Sequence, residues 1–270
     1  MPGRILAALL LLAPAAGRAA EADPPDRFPR AGASYLVAVD GRLLWARAPD
    51  EPRPPASLSK LMAALVLLGE GWSPGAWLRV SPRAARETGS RLGLRAGEEI
   101  AAGDALLATL VASANDACLA LAEGAAGSAE AFVARMNRRA VEMGLGATRF
   151  ENPCGHDAPG QRSSARDLWR IARAALASPE LRRVVAAERG RATTRGGRTI
   201  EFATGNALLG RLEGARGVKS GFTPGAGKCV VALAERGGVE VLLVLLGAPD
   251  RWWTAAGIVE AAFREAGRGG

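Results

Sequence analysis

Residues 61–68, LMAALVLL, carry no polar side chain on any face of a helix. A helix that is apolar all round has to be enclosed by other elements, so this segment lies at the centre of whatever the chain folds into. Immediately before it stand Ser57, Ser59 and Lys60, in the run PPASLSK at 54–60, whose prolines suit a helix entrance. A lysine at the mouth of a buried helix has two readings. It snorkels its ammonium out to water, or it is a desolvated amine that works as a base. Composition bears on the choice, because only Lys60, Lys219 and Lys228 among the 35 basic residues are lysines. An ammonium can lose its proton when desolvated, whereas a guanidinium effectively cannot.

The N-terminus has the order of a secretory signal peptide: Arg4, an apolar run over 5–12, then small residues through Ala22. The run is too short to span a bilayer as a helix. Cleavage after Ala20 or Ala22 is expected, and an exported protein with it. Removal of 1–22 takes away Arg4, Arg18 and Glu21, one net charge from the formal +8. The arginines are dispersed and not interleaved with aromatic residues, which argues against nucleic acid as a partner. The apolar stretch 105–122 is broken by Ser113, Asn115 and Asp116, so no later membrane anchor is expected.

Cys118, Cys154 and Cys229 show neither a disulfide framework nor metal-ligand spacing. Buried free thiols are the expectation, with one bonded pair as the alternative in an oxidising compartment. His156 is the single histidine, and the chain has no G-x-S-x-G elbow. It reads as an exposed residue of a turn over 152–156.

Residues 23–33 read as a mobile leader rich in Pro, Arg and Gly. Two short strands, 34–39 and 42–46, flank Asp40-Gly41, a hairpin signal. The stretch 72–100 has no clear period. From 103 to about 177 the pattern is helical, with breaks at 113–115, 124–127 and 152–163. The amphipathic segment 129–143 is one helix, and 164–176 opens with a serine cap and an acidic first turn. After Arg191 strands follow at 198–203, 217–220, 229–235 and 239–246, the last two joined by Gly237-Gly238, and a helix over 252–265 closes the chain. Strands at both ends with helices between them predict an α/β fold of α+β type. One antiparallel sheet is built from the N- and C-terminal strands, flanked by helices, with a helical insertion. A single domain over 34–267 is expected, with no second domain after Gly267.

Three short patterns carry chemistry. Ser57 and Lys60 are three apart, hence on one helix face, with Ser59 turned elsewhere. A neutral amine there can take the serine proton, given burial and a second cation to lower its pKa. Ser113-Ala114-Asn115 interrupts an apolar stretch where unpartnered polar groups would be costly. Lys219-Ser220-Gly221 sits on a strand where glycine admits a close backbone approach. The last two patterns are weak singly. In the order S-x-x-K, S-x-N, K-[ST]-G, on helix, loop and strand, the set is strong.

With PASLSK at 55–60, SANDA at 113–117, FVARMN at 132–137 and GVKSGFT at 217–223, the chain resembles the serine-type D-alanyl-D-alanine carboxypeptidases, the low-molecular-mass penicillin-binding proteins. The resemblance implies a penicillin-binding protein/β-lactamase-like fold and peptidoglycan stem peptides as substrate. It implies β-lactams as covalent inhibitors, no cofactor and no metal, and a periplasmic or other extracytoplasmic location. It makes Ser57 the nucleophile, Lys60 the base and Ser113 a proton relay. Asn115 would hold the peptide amide, Lys219 would support both that relay and the substrate carboxylate, the latter with Ser220 and Arg251, and the N–H groups of Ser57 and Phe222, beside the substrate-binding Gly221, would hold the oxyanion. Ser220 stands where many relatives have threonine. A D,D-endopeptidase that cuts cross-links is the alternative. A serine β-lactamase is less expected, because Glu123, Glu130, Glu142 and Glu151 do not stand in the E-x-x-L-N pattern that positions its water. A non-catalytic peptidoglycan-binding module would have no reason to keep two of three lysines at these positions.

Overall fold

The computed structural model describes residues 24–69 and 71–268; the segment read as a signal peptide, 1–22, lies outside them. The chain order is β1 (Ser34–Val39), β2 (Arg42–Arg47), a 3-10 turn (Ala56–Leu58), α1 (Ser59–Gly69), β3 (Trp77–Arg79), α2 (Pro82–Ala85), β4 (Glu99–Ala101), α3 (Ala102–Val111), α4 (Asn115–Ala126), α5 (Ala129–Glu142), α6 (Ala165–Leu176), α7 (Pro179–Val185), β5 (Arg189–Thr193), β6 (Thr199–Ala203), β7 (Ala215–Thr223), β8 (Gly227–Arg236), β9 (Val239–Ala248) and α8 (Arg251–Ala266).

Five strands form one antiparallel sheet in the order β2-β1-β9-β8-β7, so the N-terminal hairpin is stitched to the C-terminal meander through β1 and β9. Successive strand residues point to opposite faces, and both faces are covered. Val241, Leu243 and Leu245 of β9 pack with Ile258, Val259 and Ala262 of α8. Their neighbours Leu242, Val244 and Leu246 pack into the larger core with α1, α4 and α6. Burial on both sides explains why β9 reads as a continuous apolar run rather than an alternation. Helix α1 is the centre of that larger core; Leu61 and Met62 are fully buried, among contacts with α3, α4, α5 and α6.

Several expectations change. Residues 24–33 are packed rather than loose. The Phe28 ring meets Trp45 edge-on at 5.3 Å, and Asp26 accepts the Tyr35 hydroxyl and pairs with Arg47. Asp26 and Phe28 are thus spent on the α8-covered face of the hairpin, an anchorage that Pro and Gly content conceals. Helix α4 continues through Gly124 to Ala126, and Ser128 caps α5. Cys118 and Cys154 form a disulfide, while Cys229 is free and buried. The two bonded cysteines are 36 residues apart in sequence, and they meet only because α4 and the loop 152–157 converge on Lys60. Closing a loop of that length stabilises the fold by about 4 kcal/mol in the chain-entropy picture.

The aperiodic stretch 86–98 is held by one carboxylate. Asp116, 1 % exposed, accepts backbone N–H bonds from Leu92, Gly93, Leu94 and Ala117 at 2.8–3.0 Å. This fixes a loop that lacks a regular ladder against the start of α4. Asp116→Ala leaves buried donors without an acceptor and is expected to cost on the order of 3–5 kcal/mol, measured by urea unfolding. A loss below about 1 kcal/mol would contradict this account.

Candidate active site

Ser57 lies in the 3-10 turn that precedes α1, and that turn is tightly enclosed. A methyl group on Gly221 of β7 would fall 2.8 Å from the Ser57 nitrogen, and one on Gly155 would fall 2.0 Å from the Ala56 carbonyl oxygen. Glycine at these two positions lets the strand and the loop press against the serine turn from both sides. Gly221 therefore lets β7 approach Ser57 closely, while it also lines the cleft. Ala56 takes φ +49°, which is unfavourable for a residue with a Cβ. The distortion lifts Ser57 out of the regular helix at the floor of a cleft.

Lys60 follows one turn later and is fully buried. Its Nζ lies 3.2 Å from Ser57 Oγ, 2.7 Å from Asn115 Oδ1 and 2.6 Å from the Cys154 carbonyl oxygen. Two of these three neighbours are pure acceptors. A neutral amine has two N–H bonds and one lone pair, so both donors are consumed by the carbonyls and the lone pair is left facing the Ser57 hydroxyl. Burial, with the charge of Lys219 behind it, pushes the Lys60 pKa well below its ordinary value, against a small opposing pull from Glu87. The snorkelling alternative fails, since the side chain reaches inward. Ser59 points away, donating to the Ala56 carbonyl at 3.0 Å and accepting from Gln161 Nε2.

The cleft holds about 500 Å³ and is lined by Ser57, Ser113, Asn115, Lys219, Ser220, Gly221, Phe222 and Arg251 among others. Every residue expected at the site except Lys60 lines it, and Lys60 lies directly beneath. Ser113, between α3 and α4, has φ +61°, a left-handed conformation that a serine adopts only where the surroundings impose it. Asn115 is occupied on both sides: Oδ1 accepts from Lys60, and Nδ2 donates to the Thr88 carbonyl at 2.6 Å. In this arrangement it positions Lys60 as well as facing the cleft.

Lys219 is 2 % exposed and donates to the Ser220 carbonyl at 2.8 Å. Burial, then the Arg251 guanidinium, lower its pKa to about 7. Arg251 donates from Nη1 to the Gly221 carbonyl at 2.6 Å, and its buried Nε has no partner among the described residues. Two cations and an unsatisfied buried donor on one wall make a site for an anion.

Sequence reasoning missed part of the wall. Thr88, Gly89 and Ser90 line the cleft from a stretch with no periodic signal. His156 also lines it, half-exposed, with Nε2 2.7 Å from Glu87 Oε2. It bridges two loops rather than standing free in solvent as expected, and that nitrogen is spent on a carboxylate. Asp157 next to it accepts from Thr223 Oγ1 and from the Gly225 backbone, which ties the loop 152–157 to the β7–β8 turn. Among the described residues no cluster of metal-binding side chains occurs.

Comparison with known proteins agrees with this geometry. A family model, Peptidase_S11, D-alanyl-D-alanine carboxypeptidase, matches residues 22–250. D-alanyl-D-alanine carboxypeptidase DacF of Bacillus subtilis is 32% identical over 224 residues, 81% of this chain and 57% of that protein. The D-alanyl-D-alanine endopeptidase of Pseudomonas aeruginosa is 33% identical over 266 residues, 92% of this chain and 84% of that protein. The crystal structure of the Streptomyces K15 DD-transpeptidase superposes with a TM-score of 0.82 at 26% identity, covering 90% of this chain and all of that one. The chain spans little more than half the length of several of its carboxypeptidase relatives, 57% of DacF and 54% of DacC of Escherichia coli. The matched span takes in the serine turn, the S-x-N loop and the K-S-G strand, and on that ground the chain belongs to the D-alanyl-D-alanine carboxypeptidase family of serine peptidases, Peptidase_S11.

Proposed function

We propose that the protein is a serine D-Ala-D-Ala carboxypeptidase that trims peptidoglycan stem peptides through an acyl-enzyme on Ser57. The observation that carries this reading is the Lys60 amine, buried, with two carbonyl acceptors on its N–H bonds and its third side 3.2 Å from Ser57 Oγ. In this reading Ser57 gives its proton to Lys60 while Oγ attacks the carbonyl carbon between two D-alanines. The carbonyl oxygen gains negative charge within reach of the Ser57 and Phe222 N–H groups. The departing amine of the terminal D-alanine takes the proton from Lys60 by way of Ser113. Water then attacks the ester, Lys60 accepting its proton and returning one to Ser57. Asn115 holds the substrate amide and Lys60 together, and Lys219, Ser220 and Arg251 receive the terminal carboxylate.

The same reading takes β-lactams as slow substrates. None of Glu123, Glu130, Glu142 and Glu151 lines the cleft, so penicillin's acyl group meets no carboxylate-activated water there. Export fits the site as well: the Cys118–Cys154 bond belongs to an oxidising compartment, and among the described residues no single helix is long and apolar enough to cross a membrane. Cross-link cleavage is the second reading, favoured by the endopeptidase relative that aligns with 92% of this chain. Mass spectrometry of muropeptides separates the two. Release of free D-alanine from pentapeptides is expected; loss of dimeric muropeptides without it would replace the carboxypeptidase reading by the endopeptidase one.

Lys60→Arg keeps the charge and removes the base, so penicillin acylation of Ser57 should fall by on the order of 10²–10⁴, followed as an adduct by intact-protein mass spectrometry. Parent-like labelling of this variant would end the base assignment. Lys219 is charged below its pKa of about 7 and neutral above it. For a peptide with a free terminal carboxylate, kcat/KM should therefore decline as pH rises through about 7, tenfold per unit at most. A peptide ending in an amide should lack that alkaline decline, and identical profiles for the two would remove Lys219 from carboxylate recognition.

A further inference from the structure

The two carbonyl oxygens that grip Lys60 come from separate parts of the chain. One is Oδ1 of Asn115, the first residue of α4; the other is the backbone oxygen of Cys154, in the loop 152–157. Cys118 follows Asn115 by three residues on the same face of α4, and its sulfur is bonded to that of Cys154, with the two Cα atoms 6.0 Å apart. Cys154 Sγ also rests 3.8 Å from the Asn115 carbonyl oxygen. The acceptors thus stand at the two ends of a covalent clamp that spans one helical turn and one disulfide.

The other ties of the loop run within it or to the serine turn, the β7–β8 turn and Glu87. Asn152 accepts from the Gly155 and His156 backbones, and Gln161 accepts from the Glu151 and Asn152 backbones. Asp157 joins the loop to the β7–β8 turn, and His156 joins it to Glu87. None of these bonds reaches α4.

We propose that the Cys118–Cys154 disulfide is a positioning element for Lys60: it sets the separation of the two carbonyl oxygens that engage both N–H bonds of the neutral amine, and so aims the lone pair at Ser57. The inference rests on the reading of Lys60 as the base. Cys154 lines the cleft, but the role assigned to the disulfide is the one it exerts through Lys60. Without it the Cys154 carbonyl can draw away from α4 and admit water beside Nζ. Burial is the largest influence keeping the amine neutral, so a hydrated Lys60 holds its proton to higher pH and loses its base form near neutrality.

The test uses the full chain carrying Cys118→Ala and Cys154→Ala together, with benzylpenicillin as the probe and circular dichroism as the check of fold. The acylation rate constant at Ser57 is followed against pH by intact-protein mass spectrometry. The acid limb of the profile is expected to move up by about one pH unit or more, a loss of about tenfold along that limb, while the alkaline decline that Lys219 sets on this carboxylate-bearing probe stays where it is in the parent. A disulfide that is only a staple would lower the thermal midpoint and leave the limb where it was, which would overturn the proposal. If the double variant does not fold, the parent is reduced instead. Dithiothreitol gives two electrons and two protons to the S–S bond, producing two thiols and its own cyclic disulfide. The limb should shift on reduction and return on reoxidation, and an unmoved limb with two new thiols counted overturns the inference. A parent that penicillin does not label at all removes the base reading and this inference with it. Labelling with no turnover of D-Ala-D-Ala peptides sinks the carboxypeptidase reading and leaves the disulfide's role intact.

Discussion

The fold is organised around a lysine taken out of water. An amine enclosed on all sides cannot keep its charge without a carboxylate partner, and Lys60 has carbonyl oxygens as its partners instead. Everything nearby follows from that condition. Helix α1 has no polar side chain after Lys60 because it is the floor of the core. Asn115 and Cys154 lie where they do because both N–H bonds require acceptors. The serine turn bends out of the helix so that its hydroxyl meets the remaining side of the nitrogen.

A second constraint is the spacing of cations. Lys60, Lys219 and Arg251 converge at one cleft that no acidic side chain lines among the described residues, and Glu87, which pulls on Lys60 from outside it, is spent on His156. Each cation makes the next easier to deprotonate, with Lys219 acting on Lys60 and Arg251 acting on Lys219. The guanidinium is the member that cannot yield its proton, so it anchors the series. Arginine at position 251 and lysine at 60 and 219 are therefore separate requirements, which a chain otherwise so poor in lysine makes visible.

The parts legible in the sequence were those governed by local spacing. The three-residue step from Ser57 to Lys60 already put hydroxyl and amine together, Asp40-Gly41 and Gly237-Gly238 set the two hairpins, and Ser164 marked the start of α6 through its bond to Asp167. What remained hidden was set by long-range packing. The stretch 86–98 takes its shape from Asp116, more than 20 positions away, so no local pattern could reveal Thr88 and Ser90 as cleft wall. Gly155 looked like an ordinary turn glycine, and only the nearness of the Ala56 carbonyl explains why a side chain is barred there. Cysteine spacing says nothing about pairing when the partners belong to a helix and a distant loop, and so the bonded pair escaped.

The position of β7 at the end of the strand order has a consequence for the solubility of the protein. An outermost strand presents unpaired N–H and C=O groups and invites a strand from another molecule. Here the Val185 carbonyl at the end of α7 abuts Gly217, the serine turn abuts Gly221, and Arg251 occupies the Gly221 carbonyl. The edge is thereby covered at Gly217 and Gly221, and the stretch from Val218 to Thr223 lines the cleft. A second sheet would need the whole strand edge free, so the contacts that shape the cleft at Gly217 and Gly221 also guard against edge-to-edge pairing.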